Sequence, residues 1–218
     1  MTVLILVPDW GIVMYLQLTT RCNMSCEHCC FACNAQGDDM SRETFRAAID
    51  LCEEWGSCIT LGGGEPTLHP LFREFLMDAI AADIGDDIPP FIATNGSVKR
   101  HALLLAKLSK KQVVMAELSR DEWHDEIDYD VVDAFEGMVR DVSQGGRREP
   151  FAVGRALTVL KIEPKEYGNC ACDDYHVSPD GSVRQCGCPD APVIGNVNDG
   201  IDSEHRGCYK EIEEELCV

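Results

Sequence analysis

The chain has 218 residues, of which 45% are hydrophobic, and a formal net charge of −19. That length lets one domain, or one domain with a small appendage, bury a sizeable core. The excess of carboxylates disfavours a nucleic-acid backbone as the main partner, because phosphate contacts need Lys and Arg. Thirteen cysteines point to metal or redox chemistry rather than to a disulfide framework. The apolar run Val3 to Val7 is broken by Pro8-Asp9, has no basic leader and is too short to span a bilayer. The expectation is a cytoplasmic protein with no membrane segment.

Residues 1–13 read as an accessory strand and turn. Tyr15-Leu16-Gln17-Leu18 reads as the first main strand, and five cysteines follow it within the twelve positions from Cys22 to Cys33. Cys22, Cys26 and Cys29 are spaced C-x3-C-x2-C. A cubic iron–sulfur cluster is fully coordinated by four thiolates, so three leave one iron open to a non-protein ligand. Cys26, Cys30 and Cys33 repeat the same spacing, so two registers overlap. Cys26/Cys29 and Cys30/Cys33 are also C-x2-C pairs, the spacing of a structural zinc knuckle.

Ser41 is a suitable cap for a helix to about Trp55, with Phe45, Ala48, Ile49 and Cys52 on its buried face and Gly56 as its stop. Cys52 reads as a small core residue. Cys58 to Leu61 reads as a short buried strand ending in Gly62-Gly63-Gly64-Glu65. Pro70 opens a second helix. Phe91 to Thr94 is a third strand, followed by Asn95-Gly96 and a helix from Lys99 to Lys110. Val113 to Leu118 is a fourth strand, ending in Ser119-Arg120-Asp121-Glu122-Trp123-His124. A helix from about Asp130 to Val142 and a further strand within Phe151 to Ile162 complete the series. Four strand–helix repeats imply parallel βα units, with the polar motifs at the carboxyl edge where ligands bind. His124 reads as a proton donor or, more plainly, as a solvated loop histidine.

The cysteine triplet behind a strand, with Asn23 after its first member, resembles the cluster loop of radical S-adenosylmethionine (radical SAM) enzymes. Gly63-Gly64-Glu65, one βα unit later, resembles the GGE motif of the same family. The resemblance implies an α/β fold: a partial (β/α) barrel, abbreviated at its end. It also implies that Cys22, Cys26 and Cys29 hold a 4Fe-4S cluster, with Cys22 at the strand end and Cys30 and Cys33 as extra thiols. The amino and carboxylate groups of SAM would then chelate the open iron. By the same resemblance Gly63 and Gly64 approach the SAM methionine and Glu65 accepts from its ammonium group. Thr94, Asn95, Ser119 and Asp121 would face the nucleoside, and Arg155 of Gly154-Arg155-Ala156 would meet a SAM carboxylate. Ordinary turn chemistry is the competing reading of each polar residue.

Six cysteines gather from Cys170 to Cys217. Pro179-Asp180-Gly181 signals a hairpin turn between Cys170/Cys172 and Cys186/Cys188. Cys170, Gly181 and Cys186 resemble the SPASM/twitch extension of radical SAM enzymes, which implies a second, auxiliary iron–sulfur cluster on Cys170, Cys172 and Cys186, completed by Cys188 or Cys208. A zinc hairpin competes with it. The resemblance divides the chain into a barrel core, residues 1–163, and a cysteine-rich extension, residues 164–218. It implies reductive cleavage of SAM, hydrogen abstraction from a peptide or protein substrate, and a reductant such as flavodoxin or ferredoxin. The alternatives are a small-metabolite substrate, activation of a glycyl-radical enzyme, or a zinc-bound interaction module.

Overall fold

The computed structural model describes residues 12–84, 88–141, 153–161, 175–188 and 191–201. Strand β1 (Val13–Thr19) lies at the centre, because alternate residues Met14, Leu16 and Leu18 are fully buried. Helix α1 (Arg42–Trp55) begins where Ser41 Oγ accepts the Thr44 N–H at 3.0 Å, and it ends where Gly56 turns left-handed at φ 58. Its buried face is the one read from the sequence: Phe45, Ala48, Ile49 and Cys52. The Ser41→Ala variant removes one satisfied helix-end donor and is expected to cost about 1 kcal/mol, read as a lower urea midpoint at unchanged slope.

Strand β2 (Cys58–Gly63), helix α2 (Phe72–Ala81), strand β3 (Phe91–Thr94), helix α3 (Lys99–Ser109) and strand β4 (Met115–Arg120) follow in order. Phe45 of α1 stacks on Phe75 of α2 with ring centroids 4.0 Å apart, tying two helices over the same face of the sheet. Such a pair adds about 0.5–1.5 kcal/mol to its area burial.

Two expectations are corrected here. The helix expected from Asp130 to Val142 is only α4 (Tyr129–Ala134), and Val139–Asp141 is strand β5 beside β4. Valines fit both periodicities, and Gly137 at φ 80 breaks the helix between them. The strand expected within Phe151 to Ile162 is, over its described part, helix α5 (Gly154–Val159).

The tail joins the main sheet. Strand β6 (Tyr175–Val177) pairs in parallel with β1, Tyr15 opposite His176. The turn at Pro179-Asp180-Gly181 then sends strand β7 (Ser182–Arg184) back antiparallel, as expected, and β8 (Val193–Asn196) and β9 (Gly200–Ile201) follow. The order is β5-β4-β3-β2-β1-β6-β7-β8-β9, an open sheet consistent with a partial barrel. The carboxyl ends of β1 to β4 therefore share one edge, and the cysteine loop lies across it. Among the described residues no helix is long and apolar enough to cross a membrane.

Candidate active site

A cavity of about 360 Å³ opens at that edge, within the range of small-molecule sites. Cys22, Cys26, Cys29 and Cys30 line one wall, Gly63, Gly64 and Glu65 another, and Thr94, Asn95, Ser119 and Asp121 a third. The structure thus brings together residues from four separate strand ends. Cys33 is buried and Arg155 half-buried, and neither is among the lining residues.

The cysteine loop is held at both ends. The Cys22 N–H donates to Asn34 O at 2.7 Å, and Met40 N–H donates to Leu18 O at 2.8 Å. Arg21 grips Asp39 through Nε and Nη2 at 3.0 and 2.7 Å, a two-point contact that fixes the loop's base. Gly154-Arg155 holds its far side. The Arg155 N–H donates to Cys29 O at 2.9 Å, Nη1 to Cys26 O at 2.8 Å, and Nη2 to Cys33 O. Both terminal nitrogens of the guanidinium therefore serve the loop, where the resemblance implied a SAM carboxylate. Gly154 has φ 56, and a Cβ there would meet Cys30 O at 2.0 Å, so only glycine lets α5 approach this closely.

The glycines after β2 have the same kind of cause. A Cβ on Gly64 would lie 2.3 Å from Arg21 O, and one on Gly63 2.5 Å from Thr19 O. Their close approach is to β1 and the start of the cysteine loop, where the Gly64 N–H donates to Thr19 O at 2.8 Å and the Glu65 N–H to Arg21 O at 2.9 Å.

Glu65 is 1% exposed. Its Oε1 accepts from Thr67 N (3.1 Å), Thr67 Oγ1 (2.5 Å) and Thr94 Oγ1 (2.8 Å), and its Oε2 from Asn95 N (2.7 Å). Burial pushes this carboxyl above its ordinary range, and the four donors pull it back. Asn95 Nδ2 in turn donates to Asn23 Oδ1 at 3.3 Å and lies 3.8 Å from Cys22 Sγ. The end of β3 is thereby tied to the first cysteine.

Desolvation raises the Cys22 thiol, and with the neighbouring thiols it pushes Cys26 up to about 11. Cys29 moves the other way, because the Cys33 thiol donates to it. Among the described residues the compact donor trio, with ligand atoms within 4.8 Å of one another, is His28, Asp121 and His124. The thiols of Cys22, Cys26 and Cys29 instead line one wall of the cavity with open space beside them. Tetrahedral zinc at about 2.3 Å from each sulfur would bring them to about 3.8 Å. A cubic cluster, with each thiolate on a different iron, spreads its ligands wider. Three thiols on one loop, with cavity space left for a further ligand, fit a cluster that keeps one iron open.

Two aromatic residues of the cavity, Tyr15 and Phe31, have a role that the sequence does not signal. Tyr15 and Phe31 stack with His176 at 5.3 to 5.8 Å, joining β1, the cysteine loop and β6. Burial pushes His176 down to about 4. His124 is not a solvated loop residue: its side chain is 12% exposed and its Nδ1 donates to Asp121 Oδ1 at 2.6 Å. Burial works against the Asp121 carboxylate. The His124 bond and the Trp123 N–H outweigh it and hold the carboxyl below its ordinary range. In the tail Cys186 is fully buried and Cys188 half-buried, while Cys170, Cys172 and Cys208 lie outside the described residues.

The family model described as the Radical SAM superfamily matches residues 16–147, more than half of the chain. The solved structure of BtrN in complex with AdoMet and 2-DOIA superposes with a TM-score of 0.61 at 17% identity, covering 85% of this chain and 78% of that one. That of anSMEcpe with bound AdoMet and Cp18Cys peptide gives 0.58 at 15% identity, covering 87% and 78%. At these identities the likeness concerns the fold. No curated protein sequence matches the chain.

Proposed function

This chain belongs to the radical SAM superfamily, and from that premise we propose that Cys22, Cys26 and Cys29 hold its 4Fe-4S cluster and that its substrate is a peptide or protein. When bound, the cluster and SAM supply a 5′-deoxyadenosyl radical that abstracts hydrogen from the substrate. The observation that carries the reading is the convergence of the cysteine triplet, the Gly63-Gly64-Glu65 turn and the Thr94-Asn95 strand end on one cavity.

The chain's own residues then have distinct tasks. Three thiolates face the cavity while the Arg155 and Asn34 contacts keep their loop rigid. Glu65 locks the ends of β2 and β3 together, and Oε2, with one protein donor, keeps acceptor capacity for an ammonium group. Ser119 and Asp121 offer a hydroxyl and a carboxylate to ribose hydroxyls. Tyr15, Phe31 and His176 close the β1–β6 side against water.

The peptide assignment rests on the tail. Cys170, Cys172 and Cys186, with Cys188 or Cys208, are proposed as ligands of an auxiliary cluster carried by residues 164–218, and such extensions go with peptide-modifying members of the family. The structural likeness to anSMEcpe with a bound peptide agrees with this, and that to BtrN with 2-DOIA keeps a small metabolite as the second reading. A flavodoxin or ferredoxin would deliver the electron. Anaerobic reconstitution with iron and sulfide tests the assignment. The wild type is expected to take up two clusters, and SAM should change the EPR spectrum of the reduced protein. With Cys22, Cys26 and Cys29 all replaced by Ala, one cluster should remain and the SAM effect should vanish. A triple variant holding zinc, or no metal, would reduce the tail to a structural element.

A further inference from the structure

We propose that His28, Asp121 and His124 form a second metal site on the cavity wall, one that takes a divalent first-row transition cation independently of the cysteines. One ligand atom from each lies within 4.8 Å of the other two. His124 Nδ1 is 2.6 Å from Asp121 Oδ1, and His28 Nε2 is 3.5 Å from Asp121 Oδ2. Donors bound at about 2.1 Å around one ion stand about 3.0–3.4 Å apart, so the two measured separations bracket what a shared ion requires. The two imidazoles, whose ligand atoms lie within 4.8 Å of each other, close onto the ion as it binds.

Hydrogen bonding accounts for two members of the trio and not for the third. Asp121 accepts from His124 and from the Trp123 N–H, which explains why a carboxylate only 6% exposed is tolerated. His28 has no such partner. Its Nδ1 is buried without a hydrogen bond, and its Nε2 is too far from Asp121 for a good one. A buried polar atom left unpaired is costly, so hydrogen bonding within the protein does not explain why this ring is held with its Nε2 toward Asp121. Trp123 packs against the His28 ring at 4.8 Å and His124 at 5.3 Å, fixing its orientation from two sides.

The donor set defines the ion. Two imidazoles and one carboxylate suit Mn(II), Fe(II), Co(II) or Zn(II) and discriminate against magnesium and calcium, which want oxygen alone. The three residues occupy one side of the ion. Its remaining positions face the cavity, where hydroxyl or carboxylate oxygens of a bound molecule can complete the shell. The site is thus a cation anchor for an oxygen-bearing group.

Manganese is the probe of choice, because it binds thiolates poorly and so ignores the cysteines. The full chain is titrated with Mn(II) in excess Mg(II), which saturates the carboxylate-only surface sites of this acidic protein, and free Mn(II) is read from its EPR signal. About one Mn(II) per chain is expected, with nitrogen couplings from imidazole in the pulsed spectrum. His28→Gln, His124→Gln and Asp121→Asn should each weaken binding at least tenfold. Glu122→Gln, an exposed carboxylate in the same loop, should leave it unchanged. Near-UV circular dichroism identifies any variant that fails to fold, and the two glutamine variants back each other up. No magnesium-resistant binding, no nitrogen coupling, or a folded glutamine variant that binds as the wild type does would each overturn the site.

Discussion

Replacing Cys22 by alanine is expected to abolish cluster binding at the β1 loop, and SAM cleavage with it, whereas Cys33→Ala should keep most of both. Cys22 lies just beyond β1, separated from Thr19 by Thr20 and Arg21, with its N–H bonded to Asn34 O and its sulfur accepting from Met24 N at 3.4 Å. It opens on the cavity together with Cys26 and Cys29. Cys33 is 3% exposed, hydrogen-bonded to the Cys29 thiol and not among the cavity's lining residues. The bond it gives Cys29, its burial and the neighbouring sulfurs raise its thiol above the ordinary range. Iron content, visible absorbance and SAM turnover per chain separate the two variants. Retention in Cys22→Ala with loss in Cys33→Ala would place the cluster in the Cys26/Cys30/Cys33 register.

Glu65→Gln is expected to lower folding stability by about 1–3 kcal/mol and to weaken SAM binding as well. The wild-type carboxylate meets four donors, three on Oε1 and one on Oε2. An amide fits this setting in neither orientation. Its NH2 group must face either the Asn95 N–H or the cluster of Thr67 and Thr94 donors, and one or more bonds inside the protein are lost. Because Asn95 also reaches toward Cys22, the disturbance passes to the cysteine loop. Urea denaturation measures the first effect and isothermal titration of the reconstituted protein with SAM the second. Unchanged stability would contradict the buried network, and unchanged SAM affinity would remove Glu65 from the SAM contact.

Local chemistry made much of this legible in the sequence. Helix α1 announces both of its ends, since Ser41 and Gly56 carry their conformational reasons with them. Strands β2 and β3 are short apolar runs between glycine-bearing turns. The 139–141 strand is hard to see in the sequence because Val131, Val132, Val139 and Val142 satisfy a helical and an extended rhythm alike, with Gly137 at φ 80 as the break between them. Other features depend on distant pairings that no local pattern encodes. The parallel contact of β6 with β1 joins residues some 160 positions apart, Tyr15 with His176. The Arg155 clamp joins positions 129 apart. The resemblance points Arg155 at a SAM carboxylate, but its contacts with the Cys26 and Cys33 carbonyls have no signal in the sequence. His124 is visible in the sequence as a candidate proton donor, and His28 lies unmarked between two cysteines of the triplet. Only the approach of the β4 edge to the cysteine loop reveals that they share Asp121.

The central claim is that this cavity cleaves SAM reductively. It is tested most directly by reconstituting the full chain anaerobically, adding dithionite and SAM, and quantifying 5′-deoxyadenosine against protein. The account predicts 5′-deoxyadenosine that requires SAM, reductant and an intact Cys22, Cys26 and Cys29. A fully reconstituted, reducible cluster that yields none, even with SAM bound, would contradict it.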